Sequence, residues 1–227
     1  MRPQLVIFDV DGLLLDTERV WKQAWRSTLD SLGLQEIGDE EFCRLIGKSG
    51  QASMKEAREI LNGAWDAESF MEQMRACGFR LLESGLRLKP GARELLEELK
   101  EKGIRCAVAT ATCRELTEKR LGQMGILRFF SCICCGDEVE RGKPFPDIYQ
   151  KVLEHMECPA GRAVVLEDSP VGVEAAFRAG IPCVMVPDVI PPGAAERERA
   201  AWIAPSLFQA GRWIAQGGVH RTAQTKA

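Results

Sequence analysis

Four short, largely apolar runs punctuate this chain: Leu5–Phe8, Ile104–Ala109, Ser131–Cys135 and Ala163–Leu166, with Cys183–Val186 reading as a fifth. Runs of this length without polar alternation fit strands buried on both faces, the condition of a parallel sheet covered by helices. The segments between them carry helical spacing. Ala92, Leu95, Leu96 and Leu99 line one face behind Pro90-Gly91, with Gly103 placed to end the helix. A second helix is expected over Arg114–Met124, stopped by Gly125. A third starts with Pro146 in its first turn and turns Ile148, Val152, Leu153 and Met156 inward. Ser169-Pro170 reads as an N-cap followed by a first-turn proline, and Gly180 closes that helix. Alternating strands and helices define an α/β fold with a Rossmann-like parallel sheet.

Residues 18–85 break this rhythm. Trp21, Trp25, Leu29 and Leu32 recur at helical spacing, followed by Phe42, Leu45 and Ile46, then Met54, Ala57, Ile60 and Leu61, then Phe70, Met74, Cys77 and Leu81. No strand pattern intervenes, and a βα connection is usually only ~2–6 residues long. The reading is an inserted all-α domain over 18–85, leaving 1–17 and 86–227 to the α/β core. A chain of 227 residues buries such cores without staples. Gly217–Ala227 reads as a loose polar tail.

The charge balance, 33 acidic against 30 basic residues, excludes nucleic acid as the main partner, because phosphate-backbone binding needs clustered Lys and Arg. The apolar run at the N-terminus ends at Phe8, too short for a signal-peptide core, and no stretch reaches the ~18 apolar residues of a membrane span. A cytoplasmic protein with no membrane partner is the expectation. The nine cysteines show no disulfide-framework spacing. The cluster Cys132-Ile-Cys-Cys135 has neither histidine, His155 or His220, at zinc-like spacing, and reads as small apolar side chains on a buried strand.

In a parallel sheet the C-terminal ends of the strands share one edge, where open α/β proteins bind ligands. Reactive side chains follow four of the strands there: Asp9 and Asp11, then Thr110, then Lys143, then Glu167-Asp168. One acidic residue after a strand is usually a cap or turn former; four coincidences at one edge are a site. Carboxylates gathered together repel unless a cation joins them, and hard oxygen ligands suit Mg²⁺. Lys143 and Thr110 supply a charge and a hydroxyl suited to phosphoryl oxygens. One carboxylate can attack phosphorus while a second, two residues away, moves protons.

Asp9-Val-Asp-Gly-Leu-Leu-Leu-Asp-Thr17, Val108-Ala-Thr-Ala-Thr112, Gly142-Lys-Pro-Phe-Pro-Asp147 and Leu166-Glu-Asp-Ser-Pro170 resemble, in order, the four motifs of the haloacid dehalogenase (HAD) superfamily. The resemblance spans nearly the whole chain and is similar to the β-phosphoglucomutase-like and sugar-phosphate phosphatase group. It implies Asp9 as nucleophile, Asp11 as general acid/base, and Thr110 and Lys143 as phosphoryl-binding residues. It also implies Mg²⁺ held by Asp9, Asp168 and the Asp11 backbone carbonyl, with Glu167 a further ligand or a partner of one. The insertion resembles the family's helical cap, with hinges near Asp16–Arg19 and Gly85–Lys89 and Gly12 in the turn that leads toward it. Asp11 is absent from the dehalogenases of the superfamily, so its presence favours phosphoryl transfer.

The expected function is therefore a Mg²⁺-dependent phosphatase acting on a small phosphorylated metabolite, a sugar phosphate, through an aspartyl-phosphate. A β-phosphoglucomutase-type phosphomutase is the alternative, and more remotely a non-catalytic phosphoacceptor module. A receiver-like phosphoacceptor has no inserted helical domain, which favours the enzyme. Trp21 occupies the position where β-phosphoglucomutases carry a histidine, and tryptophan cannot relay a proton. Lys48, in Gly47-Lys-Ser-Gly50, and Trp21 are the residues from which substrate selectivity is expected. Oligomeric state has no sequence signal.

Overall fold

The computed structural model describes residues 2–46 and 50–217, so Lys48 and all of the expected polar tail beyond Gly217 lie outside the described residues. The chain begins β1 (Leu5–Phe8), α1 (Thr17–Leu32), α2 (Asp39–Cys43), α3 (Gly50–Leu61), α4 (Ala67–Gly85), α5 (Ala92–Glu101) and β2 (Arg105–Ala109). It continues α6 (Arg114–Gln123), β3 (Phe130–Cys134), α7 (Asp147–His155), β4 (Ala163–Glu167), α8 (Pro170–Arg178), β5 (Cys183–Met185), α9 (Ala194–Arg199), β6 (Trp202–Ile203) and α10 (Leu207–Ala215). These elements divide into two compact units, one running to Leu15 and resuming at Leu88, the other spanning Asp16–Arg87.

The first unit is built on one parallel sheet in the order β3-β2-β1-β4-β5-β6. This is the Rossmann-like order, and β1, flanked by β2 and β4, marks the point where the winding reverses. All four residues of β1 are buried, and so are all five of β4, its apolar run Ala163–Leu166 and the Glu167 that follows it. Phe8 lies level with Val108 on one side and Leu166 on the other, which delivers Asp9, Thr110 and Glu167 to one edge. The strand after Phe129 is less buried than its composition implies. It is one of the sheet's two edge strands, covered on fewer sides, and Cys132 remains partly exposed while Cys134 is buried.

Local signals account for most helix boundaries. The Ser169 hydroxyl accepts from Gly172 N–H with Pro170 opening α8. Pro146 precedes the first turn of α7 rather than occupying it, and its carbonyl accepts from Tyr149 and Gln150. Three elements carried no expectation from the sequence: α9, the two-residue β6, and α10, which the Ser206 hydroxyl caps.

The second unit is helical. Trp25, fully buried, meets Phe70 edge-on at 5.2 Å and donates its indole N–H to the Gly38 carbonyl at 3.2 Å. Its chain ends are tied to each other, with Asp16 N–H donating to the Arg87 carbonyl at 2.9 Å and Arg19 donating to the Gly85 carbonyl at 3.0 Å. Trp21 packs edge-on against Phe79 at 5.7 Å and lies over Gly78, so the contact the structure gives it is packing between α1 and α4. No helix among the described residues is long and apolar enough to cross a membrane.

The Trp21–Gly78 contact yields a prediction opposite in sign to helix propensity. Gly→Ala inside a helix normally stabilises by up to ~1 kcal/mol. A Cβ on Gly78 would overlap the Trp21 ring, and overpacking against a rigid ring costs about 1–3 kcal/mol. Gly78→Ala is expected to lower the urea midpoint of the helical unit, and a raised midpoint would refute the packing described.

Candidate active site

β1 ends at Phe8, so Asp9 is the first residue past the buried strand and hydrogen-bonds through its N–H to the Leu166 carbonyl at 3.1 Å. Its side chain is buried and accepts at Oδ1 from Lys143 Nζ at 2.6 Å. The same ammonium donates to Glu167 Oε1 at 2.6 Å and to the Ala109 carbonyl at 3.0 Å. Lys143 therefore spends its three donors on the ends of β1, β2 and β4 and pins them together.

Glu167 is fully buried, and both its oxygens are engaged. Oε1 also accepts from the Tyr149 hydroxyl at 3.0 Å; Oε2 accepts from the N–H groups of Asp168 and Ser169 at 3.0 and 3.1 Å and from the Ser169 hydroxyl at 2.9 Å. Gly172 passes so close that a Cβ there would overlap the Glu167 carboxylate, which explains a glycine in the first turn of α8. Asp168, next along the chain, is buried at the same edge.

Asp11 is held from the other side of the turn. Its Oδ2 accepts from the Thr112 hydroxyl at 2.7 Å and its Oδ1 from Arg120 Nη1 at 3.0 Å. Arg120 is buried on the inner face of α6 beside Thr117 and Leu121. Gly12, with φ +83°, makes the turn that follows, and its N–H donates to the Leu15 carbonyl at 2.9 Å. Thr110 is buried; its hydroxyl accepts from Thr112 N–H at 3.2 Å and its own N–H donates to the Cys134 carbonyl at 3.1 Å.

The electrostatics follow from one ammonium serving two carboxylates. Burial opposes the Lys143 charge, but Asp9 and Glu167 outweigh it and hold Lys143 above the ordinary lysine range. Burial also opposes the Glu167 charge; Lys143 and the Ser169 donors overcome this and keep it below the usual carboxylate value. Asp9 carries the remaining cost. Burial, with the negative charges of Glu167 and Asp11 adding to it, pushes its carboxyl up to about 7 even though Lys143 pulls the other way. Burial and the adjacent Glu167 push the Tyr149 phenol well up, so it stays a donor.

The structure thus brings Asp9, Asp11, Thr110, Lys143, Glu167 and Asp168 to one edge of the sheet. Trp21 and Lys48 belong to the helical segment, Trp21 as a packing residue and Lys48 outside the described residues. Sequence reasoning passed over Arg120, Thr112, Tyr149 and Gly172. Arg120 had left a trace, since a cation on the inward face of a helix needs a buried anion.

The doubly wound parallel sheet thus gathers four carboxylates, a lysine and a threonine at its C-terminal edge. A model of the haloacid dehalogenase-like hydrolase family matches residues 6–186, and the chain belongs to that family. A phosphorylated carbohydrates phosphatase from Thermotoga maritima is 36% identical over 181 residues, covering 78% of this chain and 82% of its own length. A HAD family hydrolase from Deinococcus radiodurans R1, solved with phosphate and sodium, has a TM-score of 0.81 at 25% identity, over 96% of this chain and 97% of that one. A variant of CbbY from Rhodobacter sphaeroides, solved with xylulose-(1,5)bisphosphate, has a TM-score of 0.69 at 29% identity, over 92% and 98% of the two chains. The chain is an enzyme of this family, a hydrolase of phosphate monoesters.

Glu167→Gln tests the buried cluster. It removes one of the two charges that balance Lys143 and turns an acceptor into a donor facing other donors. Breaking a buried pair in this way costs about 3 kcal/mol or more. The expected result is a lower urea midpoint with unchanged slope, and equal stability of variant and parent would contradict the geometry.

Proposed function

We propose that the protein is a Mg²⁺-dependent phosphatase that hydrolyses a small phosphorylated metabolite, a sugar phosphate, through an aspartyl-phosphate on Asp9. The observation that carries this reading is the pairing of a buried Asp9 with Lys143 at 2.6 Å, beside an Asp11 carboxylate fixed by Thr112 and Arg120. Support for the substrate class comes from the relatives, one named for phosphorylated carbohydrates and one solved with a sugar bisphosphate.

In this reading a carboxylate oxygen of Asp9 attacks phosphorus and the ester P–O bond breaks. Asp11 gives a proton to the departing alkoxide, then takes one from the water that cleaves the acyl phosphate and regenerates Asp9. Thr110 and Lys143 hold the phosphoryl oxygens. Thr112 and Arg120 orient Asp11 without touching substrate.

Asp9, Asp168 and the Asp11 backbone carbonyl form an all-oxygen donor set of the kind Mg²⁺ takes. The rise of Asp9 to about 7 marks a local shortage of positive charge that a cation relieves. Glu167 is left out of the set because both its oxygens already accept hydrogen bonds. Bound there, Mg²⁺ would supply charge neutralisation for the transferring group. The inserted helical unit is read as the family's cap, with Lys48 as its selectivity residue.

A panel of phosphorylated carbohydrates assayed with Mg²⁺ tests the reading. Steady phosphate release is expected, lost with EDTA and restored by Mg²⁺ but poorly by Ca²⁺. With β-glucose 1-phosphate and a trace of the 1,6-bisphosphate, isomerisation that outruns phosphate release would replace the phosphatase with a mutase. Asp9→Asn is expected to reduce kcat by about four orders of magnitude or more while the thermal transition survives, because an amide cannot attack phosphorus. Activity within tenfold of the parent would falsify the nucleophile assignment.

A further inference from the structure

Away from the Asp9 site, three soft ligand atoms converge on one point of the α/β unit. Cys132 and Cys134 lie two residues apart on β3, so their side chains share one side of the strand. His155, the last residue of α7, reaches the same side. The two Sγ atoms are 3.8 Å apart, and each is 3.8 Å from His155 Nδ1. The histidine that seemed too distant in sequence to matter is thus the third corner of an equilateral triangle.

That triangle has the dimensions of a coordination face. Zinc bonds to thiolate sulfur and imidazole nitrogen are ~2.3 and ~2.0–2.1 Å, which spaces tetrahedral ligands roughly 3.4–3.8 Å apart. Contacts among thiols and an imidazole are weak hydrogen bonds and give little reason for three such groups to meet. We propose that Cys132, Cys134 and His155 form a second metal site, for a thiophilic divalent cation of the Zn²⁺ class, held by two thiolates and one imidazole with the fourth position open to solvent.

Several observations fit this assignment. Two thiolates neutralise a divalent cation, so no net charge is left beside the core. Cys134 is buried among Val152 and Met156, which fixes its side chain, whereas Cys132 is partly exposed and His155 exposed, giving the ion a way in. The ligand softness separates this site from the all-oxygen edge at Asp9, so Mg²⁺ does not compete for it. Cys135 is not part of the group: its buried thiol lies outside the triangle. Cys134 also borders the Asp9 edge in the backbone, its carbonyl accepting the Thr110 N–H at 3.1 Å.

Cobalt(II) reports directly on such ligands. Reduced, metal-stripped protein is titrated with Co²⁺ under excess Mg²⁺, which keeps the oxygen site filled. The expected result is a thiolate-to-cobalt charge-transfer band with visible bands of tetrahedral intensity, saturating at one equivalent and bleached by Zn²⁺. Cys132→Ser together with Cys134→Ser is expected to remove the charge-transfer band, and His155→Ala to weaken Co²⁺ binding at least ~tenfold. Because His155 is exposed, its variant tests the site without disturbing the core. Cys135→Ser is expected to titrate like the parent. Weak octahedral cobalt bands only, uptake of Cu(I) without Zn²⁺ or Co²⁺, a Cys132–Cys134 disulfide that persists under reductant, or equal titration of parent and His155→Ala would each overturn the assignment.

Discussion

A single ammonium group organises the catalytic half of this molecule. Lys143 reaches from the loop after β3 to the ends of three other strands and shares its donors among Asp9, Glu167 and the Ala109 carbonyl. Buried charge is tolerated only when its partners are equally well placed, so this contact constrains everything around it. Glu167 must sit at the end of β4 with five donors around it, Gly172 must lack a side chain, and β1 must end at Phe8. The sheet order follows the same demand, because only with β1 between β2 and β4 do these groups meet.

The cluster also explains a division of labour between two neighbouring acids. Glu167 collects donors from Lys143, Tyr149, Asp168 and Ser169 and stays ionised as part of the scaffold. Asp9 receives one ammonium contact from the same lysine and is left electrostatically unfinished, raised to about 7. The two carboxylates are told apart here by hydrogen-bond supply, since their burial is nearly equal.

Much of this was legible before any coordinates. The apolar runs placed β1, β2, β4 and β5 within about a residue, because strands buried on both faces have no other composition available to them. The residues following those runs marked the site edge for the same reason, as a parallel sheet has one C-terminal side. What was not legible depends on contacts distant in the chain. Arg120 meets Asp11 across 109 positions, and Glu167 finds Tyr149 across 18. His155 lies 21 residues from Cys134, and only the packing of α7 on the edge strand β3 brings them together. A two-residue strand such as β6 has no periodicity to read. The position of Trp21 was legible, but the glycine beneath it, which shows what the ring does, was not.

The closeness of Gly172 to Glu167 has a consequence for how this sequence can drift. A side chain at 172 and a glutamate at 167 exclude each other, so neither position explores substitutions independently. A lineage that shortened residue 167 would at once be free to fill 172, and having filled it could not return by reversing residue 167 alone. The two positions are thus coupled: a glutamate at 167 requires a bare residue at 172.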